Sequence, residues 1–159
     1  MEQKLTIKLN NGMEMPRLGM GTWFLGENKK TEGQEIEALR VGIDAGISLI
    51  DTAEMYGSGK SEQLIGKAIE GYAREKLFLV SKVYPHNAGR MHIFKSVQKT
   101  LKNLKTDYLD LYLPIPRSGK AKHVLQNQKV WEVVLSDEEY AALDAAYPAP
   151  SHKTYLDII

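Results

Sequence analysis

The sequence contains no cysteine, which excludes disulfide frameworks, thiolate zinc sites and cysteine nucleophiles. It also lacks a charge excess: 21 Lys+Arg stand against 20 Asp+Glu, for a net +1, and neither sign gathers into a block. The basic footprint of a nucleic-acid binder is therefore missing. No apolar run approaches the ~20 residues of a membrane span, and the start Met1-Glu2-Gln3-Lys4 has no apolar signal core. A cytoplasmic protein, with neither nucleic acid nor membrane as a partner, is the expectation. His86, His92, His123 and His152 share neither ligand spacing nor a helix face, so no metal site is expected. No repeat, linker or low-complexity segment is visible, and 43% of the residues are hydrophobic, so residues 1–159 read as one domain with one core.

What is present is an alternation of short apolar runs and amphipathic stretches. Leu5, Ile7 and Leu9 alternate with polar residues, and Asn11-Gly12 then precedes Met13-Glu14-Met15, which predicts a hairpin with a primed turn closed by Pro16. Leu18 to Trp23 reads as a strand whose two glycines mark a close backbone approach. Thr31-Glu32-Gly33-Gln34 resembles a capping box, and Ile36, Leu39, Ile43 and Ile47 continue at helical spacing. Ile47, Leu49 and Ile50 form the next strand, followed by a helix from Lys60 or Ser61 to Ile69 with Gly71 as its terminal glycine. Lys76 to Val83 is an almost continuous apolar strand, Arg90 to Leu104 a helix buried through Ile93, Phe94, Val97, Leu101 and Leu104, and Asp107 to Leu113 a fourth strand. Pro114 and Pro116 end that strand near Leu113 to Ile115. A short helix around Lys120 to Gln128 and a helix capped at Ser136 and stopped by Pro148 follow, and Ala149 to Ile159 reads as a loop without a period. Four βα units in succession demand a parallel sheet, either doubly wound or of the β/α-barrel kind.

The candidate chemistry lies where the strands end. Asp51 closes one apolar run, Tyr56 follows on the loop, and Lys82 sits near the end of the next strand, so the three converge if the sheet is parallel. A phenol titrates near pH ~10 unperturbed, too high for efficient proton exchange at neutral pH. An adjacent ammonium favours the phenolate and makes Tyr56 a usable acid, while Asp51 holds Lys82 charged and oriented. Structural Asp-Lys pairs are common, so the pair by itself says little. Gly57-Ser58-Gly59-Lys60-Ser61 invites comparison with a nucleotide-binding phosphate loop, but Glu54 stands where that motif needs its first glycine.

Gly21-Thr22-Trp23, Asp51-Thr52-Ala53-Glu54-Met55-Tyr56-Gly57, Val80-Ser81-Lys82 and Asp107-Tyr108-Leu109-Asp110-Leu111-Tyr112 together resemble the aldo/keto reductases. The run from Ile115-Pro116-Arg117-Ser118 through Gln126-Asn127 resembles the cofactor-phosphate segment of the same family. The resemblance implies reduction of small aldehydes or ketones by NADPH on a β/α barrel, with Tyr56 as proton donor and Lys82 and Asp51 tuning it. It further implies cofactor contacts at Gly21, Thr22, Trp23, Arg117, Ser118, His123, Gln126 and Asn127. His123 stands where the family usually carries an arginine, which weakens the implied preference for NADPH.

One departure is large. The family's fourth strand continues into a leucine-histidine segment whose histidine orients the substrate carbonyl, and four further βα units follow. Here Leu113 runs into Pro114 and directly into the eighth-strand-like segment, as an internal deletion would produce. A complete β/α barrel typically needs ~250 residues. The expectation is thus a β/α half barrel with an N-terminal hairpin, its strand Tyr108 to Ile115 being a hybrid of the fourth and eighth, which two copies close as a homodimer. An open four-stranded sheet covered by its helices is the alternative. For function, a reductase stands against an inactive remnant or deliberately shortened form, a structural or dinucleotide-binding homodimer.

Overall fold

The computed structural model describes residues 5–88 and 92–115 and, singly, residues 121, 122, 125, 136 and 138. By internal contact the chain divides into two compact units, Met1–Ile115 with Tyr155–Ile159, and Pro116–Thr154. In the second unit Ala121, Lys122, Leu125 and Glu138 are helical, where the sequence predicts its last two helices.

The first unit opens with an antiparallel hairpin of β1 (Thr6–Lys8) and β2 (Glu14–Pro16), in which Ile7 faces Met15. The expected two-residue primed turn does not form. Gly12 donates its N–H to Leu9 O at 2.9 Å, and Gly12 takes the left-handed conformation at φ +88°, whereas Asn11 does not. The register therefore centres on Asn11, giving a three-residue loop with a glycine bulge. Asn11 turns its amide oxygen to Met13 N at 3.0 Å, a local bond that competes with the primed geometry.

Four parallel strands follow, each followed by a helix except the last: β3 (Gly19–Gly21), α1 (Glu32–Asp44), β4 (Leu49–Asp51), α2 (Lys60–Ala68), β5 (Phe78–Val83), α3 (Ile93–Leu104) and β6 (Leu111–Pro114). Their order in the sheet is β3-β4-β5-β6. Ile50, Leu79, Val83 and Tyr112 form one core cluster with Leu39 of α1, Leu64, Ile65 and Ala68 of α2, and Leu104 of α3. All three helices thus cover one face, which selects barrel-type winding over the doubly wound alternative. The result is an α/β fold of the half-barrel kind, with β3 and β6 as edge strands of the described sheet.

Glycines set two of the close approaches. A Cβ on Gly19 would lie 2.3 Å from Leu49 Cδ2, which confirms the tight backbone contact expected of β3. Gly21 meets nothing within 4 Å, so its share of that expectation fails and the end of β3 faces open space. On α2, a Cβ at Gly66 would lie 2.4 Å from Asn103 O, so this position lets α2 and α3 pack backbone to backbone.

Three expectations are displaced. Thr31 is the N-cap of α1 but makes no capping bond; its hydroxyl lies 2.6 Å from Glu35 Oε1 instead, so Gln34 is not the reciprocal partner. The buried line of α3 runs through Ser96, Thr100 and Leu104, whereas Ile93, Val97 and Leu101 are only partly buried at its flank. The helix is rotated because α2 presents a carboxylate, Glu62, that Thr100 and Asn103 turn inward to meet. The last strand begins at Leu111 rather than Asp107, because Asp110 lends its carboxylate to Leu79 N at 2.8 Å and occupies the ladder with a side chain. Arg74 fixes that carboxylate at 2.7 Å and stacks on Tyr108 at 3.8 Å.

Candidate active site

The carboxyl ends of β3, β4 and β5 lie side by side, with Gly21 opposite Asp51 and Asp51 opposite Val80. Side chains two residues apart on a strand share a face, so Asp51, Val80 and Lys82 point to the side away from the helices. Lys82 Nζ donates to Asp51 Oδ1 at 2.6 Å, to Thr52 O at 2.8 Å and to Tyr56 OH at 3.4 Å. An ammonium has three protons, and these three acceptors account for them. Since Tyr56 OH accepts from Lys82, its own proton is left to be given to something else. The Lys82 and Asp51 side chains are 18% and 36% exposed, so the pair is sheltered yet reachable. The sequence-predicted trio is thus brought together.

Tyr56 is carried on a short turn, Tyr56–Gly59, that leads into α2. Gly57, Ser58 and Gly59 are all left-handed, at φ +54°, +56° and +93°. Glycine takes this conformation freely, while Ser58 does so at a cost. The run kinks the chain between the Tyr56 turn and the start of α2 at Lys60. Trp23 stacks on Tyr56 with ring centroids 6.0 Å apart, and Phe24 stacks on Trp23 at 5.1 Å. Both outer rings are 65% exposed, so the phenol stands at the end of an open aromatic shelf.

Thr22, expected at the cofactor, serves the fold instead, and Ser61, Glu54 and Glu62 support the site without having been legible as site residues beforehand. Thr22 is fully buried: its hydroxyl donates to Asp51 O at 2.9 Å, and Ser61 Oγ donates to Thr22 O at 2.8 Å. Glu54 accepts from Tyr84 N and, at 3.1 Å, from Asn87 Nδ2, holding the loop after β5 against the loop after β4. Glu62, wholly buried, accepts from Ser81 Oγ at 3.0 Å, Thr100 Oγ1 at 2.8 Å and Asn103 Nδ2 at 2.9 Å. Burial pushes the Glu62 carboxyl above its ordinary value of 4.5, against the pull of those three donors. Tyr112 OH lies buried beside this group without a hydrogen-bond partner, and burial, then the carboxylates Glu54 and Glu62, push its phenol above the ordinary value and keep it protonated. Glu62, Ile65 and Ile69 recur at helical spacing on α2, so an acid on the apolar stripe was the signal that marked Glu62.

Of the remaining sequence candidates, Gly21, Thr22 and Trp23 cluster at the end of β3 beside Asp51. Arg117, Ser118, His123, Gln126 and Asn127 lie outside the described residues.

The strand ends of this β/α sheet thus gather a carboxylate, an ammonium and a phenol within bonding reach of one another. The chain belongs to the aldo/keto reductase family, whose model matches residues 17–113. The match ends at Leu113, where the sequence departs from the family pattern. Methylglyoxal reductase YeaE of Escherichia coli is 49% identical over 113 residues, covering 71% of this chain and 39% of that protein. Aldo-keto reductase YhdN of Bacillus subtilis is 40% identical over 116 residues, covering 65% and 35%. Among solved structures, an aldo-keto reductase from Klebsiella pneumoniae in complex with NADPH superposes with a TM-score of 0.67 at 38% identity, covering 88% of this chain and 53% of that one. The chain thus spans less than half the length of these two curated relatives.

Proposed function

We propose that the chain is a cytoplasmic reductase of small aldehydes or ketones that uses NADPH, and that Tyr56 is its proton donor. The observation that carries this reading is Lys82 Nζ bonded to Asp51 and reaching Tyr56 OH at 3.4 Å. NADPH, when bound, supplies the hydride to the carbonyl carbon. The described residues fit its reacting end: the space beside Gly21 is open, and the proton donor faces away from the helices. Tyr56 gives its hydroxyl proton to the carbonyl oxygen, Lys82 stabilises the phenolate that remains, and Asp51 with Thr52 O keeps Lys82 aimed. Water then returns a proton to Tyr56. Support for a small aldehyde comes from the relative named as a methylglyoxal reductase. Arg117, Ser118, His123, Gln126 and Asn127 are assigned to the adenosine phosphate and Gly21 and Trp23 to the nicotinamide end, while Thr22, fully buried and bonded to Asp51 O, braces that end from behind.

The sheet offers two unpaired edges, β3 and β6, among the described residues. Two copies joining β6 of one to β3 of the other would close eight parallel strands, so the proposed active form is a homodimer in which the phosphate segment of one copy serves the Tyr56 site of its partner. One observation favours a second reading. The family match stops at Leu113, before the segment that supplies the family's substrate-orienting histidine, which suits an inactive dinucleotide-binding remnant. Consumption of NADPH with methylglyoxal by the wild-type chain, set beside Tyr56→Phe, separates the two. Equal rates would sink the reductase. Sedimentation mass decides the dimer: a single-chain mass with full activity overturns it.

A further inference from the structure

Glu62 is a carboxylate with no contact to solvent, yet it belongs to neither the candidate site nor an ion pair. Such a group costs stability unless every acceptor position is used. All its donors come from elements that frame the site. Ser81, bonded to Oε1, is the residue before Lys82 on β5. Thr100, on the same oxygen, and Asn103, on Oε2, come from α3. Asn103 is in turn the surface on which the Tyr56 turn is seated, since a Cβ at Gly59 would lie 2.8 Å from its Nδ2. The preceding residue, Ser61, bonds Thr22 and, through Thr52 Oγ1 at 3.4 Å, the strand end that carries Asp51. The first turn of α2 therefore reaches behind the sheet to every strand end that supplies the site.

We propose that Glu62 is a positioning residue for the Tyr56–Lys82 pair, holding β5 through Ser81 and the Tyr56 turn through Asn103 so that phenol and ammonium stay within bonding reach. This rests on the reductase reading of the front of the sheet. Glu62→Gln turns one of the two accepting oxygens into an N–H₂, so whichever way the amide lies, either Asn103 faces another donor or Ser81 and Thr100 lose their acceptor, and the common anchor of α3 and β5 is weakened. Adding Asn103→Asp restores a donor facing an acceptor with the polarity reversed, while the Asp still accepts from Gln63, which contacts Asn103 Oδ1 at 3.5 Å.

The test measures how fast sulfo-N-hydroxysuccinimide acetate acylates Lys82, read by peptide mass spectrometry against exposed Lys29, alongside kcat and KM for NADPH. Glu62→Gln is expected to raise relative Lys82 acylation ~5-fold, as loss of one net hydrogen bond would, and to lower kcat ~10-fold with KM within about twofold. Glu62→Gln/Asn103→Asp is expected to bring both back to within about twofold of wild type. Ser81→Ala, which removes one donor without altering charge, is expected to shift acylation in the same direction and covers the case in which Glu62→Gln does not fold. Wild-type acylation in folded Glu62→Gln or in Ser81→Ala, or a double variant no better than the single, overturns the proposal. Absence of turnover in the wild type overturns the reductase reading instead, and the acylation ratios still decide the role of Glu62.

Discussion

The two faces of the sheet are built to different degrees of completion. On the helix side, Ile50, Leu79, Ile65 and Leu104 are buried and even the polar groups Ser61, Glu62, Ser81 and Thr100 are enclosed with partners. On the other side Phe78 and Val80 of β5 are buried, but Lys82 and Asp51 retain exposure, Trp23 and Phe24 stand largely in solvent, and Leu111 and Leu113 are only partly covered. Ser61, Glu62 and Ser81 brace the site from behind, whereas what would enclose a substrate in front is not supplied by the described residues. The chain can hold a proton-donating group in place without shaping the volume before it, so positioning and enclosure are separable tasks in this fold.

The sharpest way to break the comparison is to change one group at a time on each face. Tyr56→Phe removes the proposed proton donor and is expected to lower kcat/KM by ~100- to ~10,000-fold with little change in melting temperature, measured by NADPH oxidation and by thermal denaturation. Ile65→Ala, on the closed face, is expected to cost ~2–5 kcal/mol in urea unfolding, because the wholly buried side chain leaves a cavity. Trp23→Ala deletes a larger ring from the open face, yet is expected to cost only ~0.5–1.5 kcal/mol, the worth of its stacking on Tyr56 and Phe24. A Trp23 loss equal to that of Ile65 would show that the front is as closed as the back.

The pH dependence follows from Glu62. Its carboxyl is raised in the folded chain, so the folded state holds a proton that the unfolded state has released, and stability declines as pH rises above about 4.5 through the raised value. Glu62→Gln is expected to flatten that decline relative to wild type, measured as melting temperature across pH 4 to 8, about the range over which most stability maxima fall. A slope identical in the two proteins would contradict it. Smallest of all is Glu32→Gln, which breaks the exposed pair with Lys67 and is expected to change unfolding free energy by no more than ~0.5 kcal/mol.

What the sequence disclosed was periodicity and strand-end chemistry. Ile36-Leu39-Ile43 and Leu64-Ile65-Ala68 announced α1 and α2, and Asp51, Tyr56 and Lys82 announced the site, because a charged or phenolic group at the end of an apolar run is conspicuous in one dimension. Groups whose role depends on a neighbour distant in sequence were invisible. Asp110 replaces a backbone acceptor only because Leu79 lies beside it, and Thr100 turns inward only because Glu62 faces it. The hairpin loop shows the same limit on a smaller scale: Asn11-Gly12 fits two turn types, and the register selects the longer one.

The unbroken order β3-β4-β5-β6 governs how the first unit can be assembled. Each strand pairs with the one synthesised just before it, as in Gly19 with Leu49, Leu49 with Phe78 and Val80 with Leu111, so each closure spans only about 30 residues. Loop-closure entropy is met in small, equal steps, and a growing chain can add one βα unit at a time onto a surface that already exists. The Lys82–Asp51 contact joins β4 to β5 alone, so it asks nothing of β6 and can form at the second of the three strand closures.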